Sequence, residues 1–115
     1  ENIAKIMNII GDVKNKNVII IDDMVDTAGS LCGATKALKE NGAREIYACC
    51  THPILSGESI KRINNSEIKE LVVSDTIPLT ENKKISKIKQ ISCANLLAEA
   101  IKRTHEGKSL SVLFE

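Results

Sequence analysis

The stretch VIIIDDMVDTAGS, residues 18–30, decides how this sequence of 115 residues is interpreted. Its first four residues are branched and apolar, which is typical of a strand buried in a parallel sheet. Asp22 and Asp23 follow at once, then Asp26 and a run of small residues, after which an amphipathic helical pattern begins. The stretch therefore predicts a strand, an acidic corner, a short loop and a helix N-terminus. Open α/β sheets bind their ligands at that end of the strands.

The loop Thr27-Ala28-Gly29-Ser30 has the composition of a phosphate site. The first N–H groups of a helix have no partner within it, and the macrodipole makes that end partly positive. Gly29 lacks a Cβ, so a phosphate can approach these N–H groups closely, and Thr27 and Ser30 add hydroxyl donors. The carboxylates suit hydroxyl groups and Mg²⁺ instead. A ligand with a phosphate at one end and a vicinal diol at the other fits both halves, and ribose 5-phosphate is the simplest.

A purely structural turn is the alternative interpretation of this stretch. Small-residue turns between a strand and a helix are common, and three acids within five residues can form a solvated corner. The phosphate site is favoured because the apolar strand, the double acid and the small loop stand in one order and one register. That joint pattern is much less common than its parts.

Composition limits the classes of protein that the chain can represent. Sixteen basic and fifteen acidic residues give a net charge of +1, so charge gives no reason to expect a nucleic-acid or membrane partner. No apolar run approaches the roughly 20 residues of a membrane span. The four cysteines lack the CxxC spacing of zinc sites, so we expect free thiols in a reducing compartment and a cytoplasmic protein.

Strand and helix patterns alternate along the whole chain. The predicted strands are residues 18–21, 45–51, 68–74 and 84–91, and the predicted helices are residues 1–10, 30–42, 56–65 and 93–105. We expect Ser30 to cap the second helix, and Leu97, Ala100 and Ile101 to form the buried face of the last one. Residues 109–115 alternate in polarity and are expected to pair at a sheet edge or an interface. This order predicts an α/β fold in three layers, with a mostly parallel sheet and right-handed crossovers.

The stretch of residues 18–30 resembles the phosphoribosyl-pyrophosphate signature of the type I phosphoribosyltransferase fold. Its DDMVDTAGS form is most similar to one branch, the ribose-phosphate pyrophosphokinases (phosphoribosyl pyrophosphate synthetases). The resemblance extends over nearly the whole chain, through NIIGDV at 8–13, THPILSG at 51–57, VSDTIPL at 73–79, LLAEAI at 96–101 and SLSVLFE at 109–115. It implies a type I phosphoribosyltransferase-like fold. It also implies that residues 1–115 are a single C-terminal domain segment, with the ATP-binding half and the catalytic loop lying upstream.

The resemblance implies an activity and a set of site residues. Such enzymes transfer a diphosphoryl group from MgATP to ribose 5-phosphate, giving phosphoribosyl pyrophosphate and AMP. The 5-phosphate would bind to Asp26, Thr27, Ala28, Gly29 and Ser30. Asp26 would cap and orient the turn, or reach the anomeric side of the sugar. Asp22 and Asp23 would hold the ribose hydroxyls and the Mg²⁺ ion. Because the basic catalytic residues would lie upstream, we expect these 115 residues to be inactive alone.

The resemblance also implies sites for regulation and assembly. Ser109 and Ser111 would lie near a site for phosphate or ADP as effector, and Ser56 and Gly57 near subunit contacts in a hexamer built from dimers. Two other functions remain open from the sequence. One is a phosphoribosyltransferase, which consumes phosphoribosyl pyrophosphate, and the other is a non-catalytic, synthetase-associated regulatory protein.

Overall fold

The computed structural model describes residues 8–115, which form a four-stranded parallel sheet with the strand order β1-β2-β3-β4. Its strands are β1 (Val18–Val25), β2 (Ile46–Pro53), β3 (Ile68–Ser74) and β4 (Ile88–Ile91). Its helices are α1 (Gly29–Glu40), α2 (Ser59–Asn65) and α3 (Ala94–His105), with 3₁₀ turns at Glu81–Lys83 and Ser111–Leu113. The predicted α/β class with a parallel sheet is confirmed. The helix predicted for residues 1–10 lies largely outside the described residues.

Helices α1 and α2 pack on the same face of the sheet. Right-handed crossovers that advance in one direction along a sheet place their helices on one side. Leu31 of α1 and Ile63 of α2 accordingly join one core with Leu71 and Val73 of β3. This core fixes α1, and therefore the loop before it, against the ends of the strands.

The opposite face of the sheet is apolar and open among the described residues. Ile19 and Ile21 of β1 alternate with the core-facing Ile20, and their exposed fractions are 65% and 80%. A further helix layer on this sheet would cover these side chains.

The first strand is longer than predicted, and this changes the position of the aspartates. The prediction ended β1 at Ile21, but the strand continues to Val25, so Asp22 and Asp23 lie within it and form no separate corner. The cause is that β2 continues to Pro53 beside it, with Asp22 opposite Cys50 in the register. The polar residues are thus held in strand geometry by their neighbour, against their own low strand propensity.

Two predictions for the C-terminal part of the chain were wrong. Residues 109–115 do not pair at an edge of this sheet, because Arg103 donates to the Ser109 carbonyl oxygen at 3.1 Å and holds the chain beside α3, where Ser111–Leu113 make a 3₁₀ turn. Their pairing at an interface stays a prediction. The expected buried face of α3 is also not buried, since Leu97 and Ile101 are 57% and 71% exposed. The amphipathic pattern of α3 is present, but no described element packs over its apolar side.

The fourth strand and the ends of the third helix differ less from prediction. Strand β4 begins at Ile88 rather than at residue 84, because the 3₁₀ turn Glu81–Lys83 precedes it. Helix α3 begins at Ala94, and the Ala94 N–H donates to the Ser92 hydroxyl at 3.1 Å.

Candidate functional site

The candidate site is a cleft of about 260 Å³ where β1 passes into α1. Its lining runs continuously from Asp22 to Leu31. It therefore brings together all seven residues predicted from the sequence, namely Asp22, Asp23, Asp26, Thr27, Ala28, Gly29 and Ser30. The cleft lies at the carboxyl end of a parallel strand, as expected for an open α/β sheet.

The backbone at Ala28 takes a conformation that non-glycine residues rarely adopt. Ala28 has φ 62° and ψ 13°, in the left-handed region, and occupies the N-cap position of α1. The prediction of Ser30 as N-cap was wrong, because the helix begins one residue earlier, at Gly29, and Ser30 lies inside its first turn. The methyl group of Ala28 is buried in the core, which holds the strained backbone in place.

This loop directs several backbone N–H groups outward. Within residues 8–115, the N–H groups of Thr27, Ala28, Gly29 and Ser30 donate no hydrogen bond. A left-handed residue followed by a right-handed helical turn makes successive N–H groups converge, which creates a concave site for an anion. The helix macrodipole adds a positive potential at the same place.

The connection between β2 and α2 supports the loop from the side. The Ser56 N–H donates to the Asp26 carbonyl oxygen at 3.0 Å, and the Ser56 hydroxyl donates to the Asp26 carboxylate. The Leu55 N–H donates to the Val25 carbonyl oxygen, also at 3.0 Å. One oxygen of the Asp26 carboxylate is thus engaged by a neighbouring segment of the protein.

Arg62 of α2 makes a second contact with the loop. Its Nη1 donates to the Thr27 carbonyl oxygen at 2.8 Å. Neither Ser56 nor Arg62 was predicted from the sequence to belong to this site. Each lies at least thirty positions from its partner, so no local pattern reveals the contact.

Asp22 and Asp23 each keep one carboxylate oxygen occupied locally. The Asp23 N–H donates to Asp22 Oδ1 at 2.9 Å, and the Met24 N–H donates to Asp23 Oδ1 at 2.7 Å. Because neighbouring residues of a strand point to opposite faces, the two carboxylates diverge. Among residues 8–115 no three metal-binding side chains cluster. The pair therefore fits an ion held by one carboxylate and otherwise by ligand oxygens and water, as is usual for Mg²⁺.

Cys50 lies opposite Asp22 in the strand register, and its thiol is unreactive. Burial, with a smaller contribution from the negative charge of Asp22, raises the pKa of the Cys50 thiol to about 11. The thiol is therefore protonated at neutral pH and acts as a small apolar group. All four cysteines are free.

The neighbouring strand ends carry polar contacts with structural roles. His52 Nδ1 lies 2.9 Å from the Thr76 hydroxyl, which also donates to the Thr51 carbonyl oxygen at 2.9 Å. The Asp75 carboxylate accepts from the Cys93 N–H at 2.8 Å, and this bond lowers the pKa of Asp75 below its ordinary value. These contacts join the end of β3 to β2 and to the start of α3.

Ser109 and Ser111 lie apart from the cleft. Their hydroxyl oxygens are 2.7 Å from each other in the exposed C-terminal turn, and neither residue lines the cleft. A regulatory role for them stays a prediction.

A second and larger cleft, of about 520 Å³, lies between α1 and α2. Its lining includes Lys36, Lys61 and Arg62. We favour the smaller cleft as the functional site, because it has the strained loop, the converging N–H groups and the helix N-terminus. In the larger one Lys36 and Lys61 are paired with Glu40 and Glu58 at 3.9 Å and 3.2 Å.

The fold and the site define an α/β protein with a cleft and a left-handed loop residue between its first described strand and helix. The profile of the phosphoribosyl synthetase-associated domain family matches residues 3–115, and the chain therefore belongs to this family. This match and the relatives that follow confirm the resemblance to ribose-phosphate pyrophosphokinases.

Individual relatives agree with this assignment. Over 113 residues, the chain is 58% identical to the ribose-phosphate pyrophosphokinase of Bacillus subtilis and 60% identical to that of Caldanaerobacter subterraneus. Each alignment covers 98% of this chain and 36% of the relative, so the chain spans about a third of the curated relatives it matches. The crystal structure of phosphoribosylpyrophosphate synthetase from Mycobacterium smegmatis superposes with a TM-score of 0.82 at 38% identity, covering 85% of this chain and 33% of that one.

None of the helices described for residues 8–115 combines the length and the apolar character needed to cross a bilayer.

Proposed function

We propose that this chain forms the ribose 5-phosphate site of a ribose-phosphate pyrophosphokinase. The whole enzyme would transfer a diphosphoryl group from MgATP to the anomeric hydroxyl of ribose 5-phosphate, giving phosphoribosyl pyrophosphate and AMP. The observation that carries the proposal is the strained loop at Ala28, which turns unpaired N–H groups into the cleft beside two carboxylates. The names of the relatives support a pyrophosphokinase that acts on a ribose phosphate.

The two ends of the cleft suit the two ends of the sugar phosphate. The 5-phosphate would accept hydrogen bonds from the N–H groups of Thr27, Ala28, Gly29 and Ser30. Asp22 and Asp23 would accept hydrogen bonds from the ribose hydroxyls through their free oxygens. The contribution of this chain to catalysis is then to position the anomeric hydroxyl for attack.

Mg²⁺ would be held at the carboxylate end of the cleft. One carboxylate of Asp22 or Asp23 would bind it together with oxygens of the substrates. When bound, the ion spreads the negative charge that develops on the transferred group. ATP is proposed as the diphosphoryl donor, and no basic side chain of residues 8–115 lines the cleft to bind its phosphates.

The proposal predicts that the chain is catalytically active within a complete enzyme and inactive alone. A chimera would carry residues 1–115 in place of the matching third of the Bacillus subtilis relative. We expect this chimera to convert MgATP and ribose 5-phosphate to an anomeric diphosphate and AMP, and the chain alone to give neither product. Phosphorus NMR of the two reaction mixtures distinguishes these results, and Asp22→Ala should remove the turnover of the chimera.

Either of two results would contradict the proposal. Turnover by the chain alone would show that it contains the whole machinery. A folded, assembled chimera that binds phosphoribosyl pyrophosphate but forms none would favour a phosphoribosyltransferase or a non-catalytic regulatory protein. Sedimentation of the chimera beside the unmodified Bacillus subtilis enzyme checks its assembly. We propose that the whole enzyme is a homo-oligomer, a hexamer built from dimers. A cytoplasmic location is proposed with the same function.

A further inference from the structure

We propose that Arg62 is a positioning residue that fixes the phosphate loop in its binding conformation before the substrate arrives. This inference deepens the proposed function and rests on it. It starts from the hydrogen bond of 2.8 Å between Arg62 Nη1 and the carbonyl oxygen of Thr27.

The planarity of the peptide bond gives this contact its directional effect. The Thr27 carbonyl and the Ala28 N–H belong to one trans peptide unit and point in opposite directions. A guanidinium that holds the carbonyl on the side of α2 therefore turns the Ala28 N–H away from α2. Ala28 itself is in the left-handed region, a state that an alanine keeps only where its surroundings impose it.

The preceding peptide unit is held in the same way. Its carbonyl, that of Asp26, accepts the Ser56 N–H at 3.0 Å, so the Thr27 N–H is turned away from the β2–α2 connection. Two successive carbonyls are thus held by the segment of residues 56–62, and two successive N–H groups point the other way. This is the arrangement of an anion-binding concavity.

The charge of Arg62 adds to its geometric effect. A cation on the carbonyl oxygen polarises the peptide unit, which makes the N–H at its other end a stronger donor. Arg62 can therefore favour phosphate binding through the Thr27–Ala28 peptide without itself contacting the phosphate. The charge of the residue and its position both matter to this account.

The kinetic test compares three variants of the chimera. We expect Arg62→Ala to raise the KM for ribose 5-phosphate by about tenfold, since a hydrogen bond from a charged donor is lost. The KM for ATP and kcat should stay within about twofold, because the interaction acts on one substrate. Arg62→Gln retains a neutral donor and should restore part of the affinity. Lys61→Ala is the matched control, since Lys61 precedes Arg62 on α2 but pairs with Glu58, and it should leave all three constants unchanged.

¹⁵N relaxation of the free chain separates positioning from direct binding. Without any ligand, Arg62→Ala should lower the backbone order parameters of Thr27 and Ala28 and leave those of Leu71 and Val73 in the core unchanged. Lower order parameters throughout would show a merely structural role. A raised KM with unchanged order parameters in the loop would make Arg62 a direct ligand. If Arg62→Ala left the KM for ribose 5-phosphate unchanged in an active chimera, the inference about Arg62 would be wrong and the proposed function would stand. An inactive parent chimera would instead overturn the proposed function.

Discussion

Replacing Gly29 with aspartate is expected to weaken ribose 5-phosphate binding strongly while leaving the fold intact. Gly29 is the first residue of α1, where the phosphate is proposed to lie. A carboxylate there would meet the phosphate as a like charge, which costs several kcal/mol at close range. We expect the KM for ribose 5-phosphate of the chimera to rise by at least about 100-fold, equivalent to about 2.7 kcal/mol.

The same substitution should not weaken the fold, which makes its effect diagnostic. An added Cβ at Gly29 would have Thr27 Oγ1 as its nearest neighbour, at the ordinary contact distance of 3.7 Å. An acidic side chain in the first turn of a helix stabilises it by about 0.3–1 kcal/mol. Urea unfolding should therefore show equal or slightly greater stability.

Two control variants isolate the cause of the lost binding. Gly33→Asp adds the same charge one turn further along α1, at an exposed position, and should leave the KM nearly unchanged. Gly29→Ala adds only the Cβ, so its smaller rise in KM measures the steric effect and separates it from the effect of the charge. If Gly29→Asp kept the affinity of the parent chimera, the phosphate would not bind at this helix N-terminus.

Replacing Leu71 with alanine is expected to remove a large part of the stability of the chain. Leu71 lies in β3, one of the two inner strands, and its exposed fraction is 0%. It packs in the core that joins the sheet to α1 and α2. Truncation of a buried leucine costs about 2–5 kcal/mol, from lost burial and from the cavity that remains. Urea unfolding of the 115-residue chain measures this loss.

Ile21→Ala is the matched control for the core substitution. It removes an aliphatic side chain of the same size from the same sheet, but Ile21 is 80% exposed. We expect a change of about 0.5 kcal/mol or less, as is usual for surface positions. Equal losses in the two variants would mean that the core does not lie between the sheet and the two helices.

The local parts of the fold could be predicted from sequence because their signals are local. Strand β3 has the predicted bounds, since its branched residues and flanking polar turns agree with its final environment. The bounds of β1 could not be found in this way. The extension through Asp22 and Asp23 depends on pairing with β2, and such pairing leaves no mark in the strand's own residues.

The candidate site likewise combines residues that the local sequence reveals with residues that only tertiary packing brings in. The continuous stretch of residues 22–30 reveals the loop, because the residues that line the cleft are neighbours in sequence. The contacts of Ser56 and Arg62 with Asp26 and Thr27 arise only when α2 packs beside α1. The left-handed Ala28 was equally out of reach, because alanine is an unusual choice for that backbone region.

We propose above that the N–H groups at the start of α1 bind the phosphate of ribose 5-phosphate. The most direct test is a titration of the ¹⁵N-labelled 115-residue chain with ribose 5-phosphate, followed through its backbone amide resonances. The account predicts that the largest shifts occur at Thr27, Ala28, Gly29 and Ser30, and that unphosphorylated ribose fails to produce them. Shifts centred instead on Lys36 and Lys61 in the larger cleft, or no shifts at the loop at saturating ligand, would contradict it.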